Sequence, residues 1–148
     1  MFSHIARSYN IAFQSAGEKS NVFQKINEQD FTRALVIADG AAFGADMEKV
    51  YQLLLEYPGH VTLFLPESFE WLVLKSGIVR SGEADRILSN PHEYIDSEKY
   101  FSWEQYFTQL LVSLTQGQEF MRYNKTKLAS FYLQTENMRR LLTAIEAE

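Results

Sequence analysis

The sequence contains no cysteine. That excludes disulfides and thiolate-bound zinc, and it fits a reducing compartment. Only three prolines occur, Pro58, Pro66 and Pro91, and each falls where a predicted element starts or stops. No apolar run reaches about 18 residues, so no transmembrane helix is predicted. Met1–Asn10 lacks the apolar stretch of a secretory signal, which leads to the expectation of a cytoplasmic protein with no membrane partner. Basic residues are in the minority, and the net charge is −5. That argues against broad electrostatic binding to nucleic acid while leaving room for a local basic patch. The three histidines, His4, His60 and His92, have no metal-ligand spacing. There is no nucleophile elbow, internal repeat or low-complexity tract.

Aromatic residues are plentiful, at 14% with 11 Phe and 8 Tyr. A chain of 148 residues can bury one sizeable core. The aromatics therefore fill that core or form an apolar patch that a partner covers, with a homo-oligomer among the options.

The most strongly patterned stretch is Arg33–Pro66, RALVIADGAAFGADMEKVYQLLLEYPGHVTLFLP. Ala34–Ala38 is short, apolar and β-branched in the middle, as a strand buried on both faces would be. Asp46–Leu55 spaces Met47, Val50, Tyr51, Leu54 and Leu55 mostly three or four apart, which predicts a helix with one buried stripe. Pro58-Gly59 ends it, and Val61–Leu65 reads as a second strand. Strand, helix and strand in this order predict a βαβ unit with parallel strands and a right-handed crossover.

Upstream, Tyr9–Gln14 reads as a further strand and Glu18–Ile26 as a short helix. Downstream, Glu67–Lys75 is predicted helical with Gly77 as its C-cap, and Ile78-Val79 as a short edge strand. After Arg80 the pattern is helical. Asn90-Pro91 is an N-cap followed by a first-turn proline. Ser102–Leu114 is the clearest helix: Ser102 and Gln105 form a capping-box pattern, and Trp103, Tyr106, Phe107, Leu110, Leu111 and Leu114 share one face. Thr126–Leu133 and Thr135–Ile145 are also predicted helical. The expected organisation is a single domain, with residues 1–80 an α/β core and residues 81–148 a helical half packed on it.

Ligands of open parallel sheets bind beyond the carboxyl ends of the strands, and those ends carry Asp39, Gly40, Glu67 and Ser68. Asp39 could hold Mg²⁺ with help from a second carboxylate, or it could cap the next turn. Gly40 and Gly44 would let a ligand, or the sheet, come close. Glu67 and Glu70 lie three apart, on one helix face; they could complete a metal site or simply favour the helix dipole. Ser15–Ser20 (SAGEKS) faintly resembles a phosphate loop. Lys19 and Ser20 could assist an anion at a helix start, although the earlier glycine of a true phosphate loop is missing. Arg122, Tyr123, Lys125 and Lys127 form a small basic-aromatic group that could touch a phosphate backbone or line a solvated face.

The stretch VIADGAAFGADMEKVYQLLLEYPGHVTLFLPESFEWLVL resembles the core of Toprim domains, found in primases, topoisomerases and related nucleases. In that family a strand ends in Asp-x-Asp-x-x-Gly. Asp39 matches the first Asp and Gly44 the Gly, while Ala41 stands at the second Asp. The family also has a Glu after the preceding strand, where only Glu18 lies nearby. The chain also resembles a group of bacterial proteins in which ADGAAFG and LPESFEWL recur, sometimes behind a nucleotide-binding P-loop part. This implies a P-loop NTPase or another protein as partner.

The resulting expectation is an α/β fold. A small parallel sheet of three or four strands, of Toprim- or Rossmann-like kind, is flanked by helices and followed by a mostly helical C-terminal half. The expected function is a binding or regulatory module without catalysis. The alternative is a Mg²⁺-dependent phosphoryl-transfer enzyme acting on nucleic acid or nucleotide, with Asp39, Glu18, Glu67 and Glu70 as candidate metal ligands.

Overall fold

A computed structural model describes residues 1–18, 21–38, 47–95 and 99–147. The chain is mostly helical and forms two compact units. One comprises residues 14–66, the other residues 1–13 and 67–148.

The predicted three- to four-stranded sheet is corrected to a sheet of two strands among the described residues, β1 (Ala34–Ile37) and β2 (Val61–Phe64). The two are parallel, as the βαβ pattern predicts, with Ala34 opposite Val61 and Ile37 opposite Phe64. The expected strand over Tyr9–Gln14 does not form, for a local reason. Helix α1 (Phe2–Ser8) closes with Asn10 in the left-handed conformation at φ 53°. The Asn10 amide donates to the Arg7 carbonyl, and the Ile11 amide donates to the Ala6 carbonyl at 2.8 Å. This is a Schellman stop, and it consumes two amides that a strand would need for its ladder. The alternation of Tyr9, Ile11 and Phe13 looks like a strand, but all three side chains are exposed. Nor is Ile78-Val79 an edge strand. Gly77 turns the chain at φ 68°, and both residues drop into the core behind it.

In the 14–66 unit, α2 (Asn21–Glu28) and α3 (Met47–Glu56) accompany the sheet. Val22 and Ile26 from α2, Val50 and Leu53 from α3, and Val61 from β2 make one buried cluster. Ala34, Val36 and Leu63 pack against it. These strand residues alternate along the chain and share a face, so a single face of the sheet serves both helices. On the opposite face Phe64 is buried and Leu35 is exposed. After α3, Gly59 turns at φ 74° and leads into β2.

The other unit is helical. α4 (Phe69–Lys75) buries Leu72, Val73 and Leu74. α5 (Gly82–Ser89) and the short α6 (Pro91–Tyr94) follow, each near its predicted place. α7 (Trp103–Thr115) packs on α4. Its N-cap forms, the Gln105 amide donating to Ser102 Oγ at 3.2 Å, while the Gln105 side chain accepts from the Phe101 amide at 3.0 Å, one residue before the cap that a capping box would use. Residues 126–133, predicted helical, form only a 3-10 turn at Ser130–Leu133, preceded by another at Glu119–Met121. α8 (Thr135–Glu146) then buries Met138, Leu141 and Ile145 and also touches α4. Among the described residues no helix is long and apolar enough to cross a membrane.

Candidate functional site

Of the residues nominated from the sequence, Lys19, Ser20, Asp39, Gly40 and Gly44 lie outside the described residues. Glu18 is exposed in the 14–66 unit. Ser68 is buried and serves as the N-cap of α4, its Oγ accepting from the Trp71 amide at 3.0 Å. Glu67 is half-buried beside it. Glu70 is 1% exposed and faces the helical core. Among the described residues, no three His, Asp or Glu side chains gather as a metal would require.

Glu70 belongs to a buried polar network that sequence spacing does not announce. Tyr123, 53 residues on, donates its hydroxyl to Glu70 Oε1 at 2.7 Å. Tyr123 is held there because its amide donates to Thr115 Oγ1 at 2.9 Å, while that hydroxyl donates to the Leu111 carbonyl at the end of α7. Tyr132 donates to the Met121 carbonyl at 2.6 Å and fixes the 3-10 turn before Tyr123. Lys125 Nζ lies 4.0 Å from Glu70 and pairs with Glu104. Burial, reinforced by the hydrogen bond to Glu70 and by its charge, pushes the Tyr123 hydroxyl far above the usual tyrosine range. It therefore remains a proton donor across physiological pH. Each member has its partner, and the network reads as a fixed clamp between α4, α7 and the 3-10 turns. An open depression of about 360 Å³ beside it is lined by Ser102, Glu104, Gln105, Thr108, Gln109 and Lys125.

The second notable site is the outer face of α3. The sequence predicts that Met47, Tyr51, Leu54 and Leu55 line the buried stripe with Val50. In the structure Val50 and Leu53 are buried, whereas Met47 is 48%, Tyr51 58%, Leu54 37% and Leu55 56% exposed. At 100° per residue these four fall on one continuous strip beside the buried line. Among the described residues the sheet has only two strands, which limits the cover it offers. Its strands lie about 4.8 Å apart, whereas a helix with side chains is about 10 Å wide. Two helices sharing that narrow face can each bury little more than one line of residues.

No protein-family model, curated protein or solved structure matches the chain.

Proposed function

We propose that this chain is a binding or regulatory module without catalytic chemistry of its own, and that it docks a protein partner through the outer face of α3. The observation that supports this reading is the strip of Met47, Tyr51, Leu54 and Leu55, four large apolar side chains left in water on one regular helix. Scattered exposed apolar residues are ordinary, but a contiguous apolar strip marks an interaction surface. The competing reading, Mg²⁺-dependent phosphoryl transfer, would draw on Asp39 with Glu18, Glu67 or Glu70; of these acids Glu70 has its carboxylate engaged by Tyr123 inside the core.

Two measurements test the reading together. A dye that fluoresces in apolar surroundings should bind the native chain, and a Tyr51→Glu/Leu55→Glu double variant should lose most of that signal while keeping its helical circular dichroism. The chain should also show no turnover of phosphodiester or nucleotide substrates with Mg²⁺. Turnover that disappears in Asp39→Asn would replace the binding module with the enzyme.

A further inference from the structure

The α3 strip has an edge of defined charge. Glu48, Gln52 and Glu56 follow one another at four-residue spacing, all exposed, and form a polar row directly alongside Tyr51 and Leu55. Gln52 Nε2 donates to Glu48 Oε1 at 3.2 Å and keeps that carboxylate in the row. On its other side the strip borders Val50 and the buried face of the helix. The surface thus has one apolar lane and one acidic edge. The surrounding unit adds to the sign: residues 14–66 carry seven Asp and Glu against four Lys and Arg.

We infer that α3 docks an amphipathic helix of another protein whose apolar face is flanked by Lys or Arg; this rests on the reading of α3 as a docking face. A helix is the fitting shape because the strip runs about 12 Å along a regular helix, enough for two turns of an i, i+3/i+4, i+7 partner to pack against. Basic flanks are the fitting chemistry because they would meet Glu48 and Glu56, and charge complementarity at a rim selects partners and orientation. A second copy of the chain fits less well. In an antiparallel self-pairing, equivalent flanks meet, so Glu48 of one copy would face Glu56 of the other across the contact. Like charges there disfavour the pairing.

The test uses the full chain and two labelled helical peptides. They share the same leucine face, and one carries Lys and Arg along a flank where its twin carries Glu. Fluorescence anisotropy should show the basic peptide binding about three- to tenfold tighter than its twin, the range that two exposed ion pairs supply. Added salt should narrow the gap. Glu48→Lys/Glu56→Lys should abolish or reverse the preference, and Tyr51→Asp/Leu55→Asp, checked for folding by circular dichroism, should weaken both peptides. Equal binding of the twins that Tyr51→Asp/Leu55→Asp still removes would overturn the basic partner and leave the docking face standing. Neither peptide binding while the chain self-associates through Tyr51 and Leu55 would also overturn it, in favour of a second copy. If neither peptide binds and the chain stays monomeric, or if binding ignores the α3 changes, both the inference and the docking reading fall.

Discussion

Helices α3 and α7 look alike in sequence and end differently. Each presents an apolar face wider than a solvated helix needs. On α7 that face is covered within its own unit: Phe107 and Leu111 are fully buried, and Trp103, Tyr106, Leu110 and Leu114 are half-buried. Tyr106 meets Phe107 edge-on, with ring centroids 5.6 Å apart. On α3 only Val50 and Leu53 are covered, and four apolar neighbours stay in water. The difference lies in the opposing surface. α7 packs on helix α4, whereas α3 shares with α2 one face of the two strands described. An apolar stripe therefore reports that a face is suited to cover, and its surroundings decide whether the same unit supplies the cover.

The largest expected effect breaks the covered side. Phe107→Ala should cost roughly 3–5 kcal/mol, because a filled core site becomes a cavity. A paired change sharpens the contrast. Leu111→Ala on α7 should cost roughly 2–5 kcal/mol, whereas Leu55→Ala on α3 should stay within about 0.5 kcal/mol of wild type. Chemical denaturation of both variants measures the difference. Equal losses would show that α3 is covered after all and would remove its docking face.

The polar clamp comes next. Tyr123→Phe deletes the hydroxyl donor and leaves a buried carboxylate short of one partner, so it should cost roughly 1–3 kcal/mol. Alkali offers a second view of the same clamp. Burial pushes the Tyr132 hydroxyl up to about 12 from an ordinary value of 10.0, with its contact to Thr115 opposing. The unfolded chain therefore ionises first. The contribution of Tyr132 is complete below pH 10 and is lost as pH rises through 12. Tyr123, also raised, acts in the same direction. Unfolding midpoints measured across that window should fall with pH, and Tyr132→Phe should make the fall shallower. An unchanged slope would mean that Tyr132 is not buried as described.

The smallest effect in the helical unit is at its cap. Ser102→Ala removes the acceptor for the Gln105 amide and should cost about 1 kcal/mol. Denaturation resolves a change of that size.

Local rules account for what was legible beforehand. The βαβ order around Ala34–Phe64, the Ser102/Gln105 cap, the Gly77 stop and the α8 stripe all depend on neighbours within a few residues. Each appears close to where the sequence places it. The strand over Tyr9–Gln14 failed because a period-two pattern says nothing about where the preceding helix spends its last amides. The buried network around Glu70 was not legible. Glu70 carries the local mark of a first-turn acid, and its role depends on Tyr123, which only folding brings to it.

By itself, then, the sequence determined the strand–helix–strand order around Ala34–Phe64, the Ser102 cap, the Gly77 stop and which side of α3, α7 and α8 is apolar, because capping, turn chemistry and periodicity act over one or two turns. Only the tertiary structure decided which apolar faces are paid for by burial. That depends on the width of what lies opposite: helix α4 behind α7, and the two strands described, shared between α2 and α3.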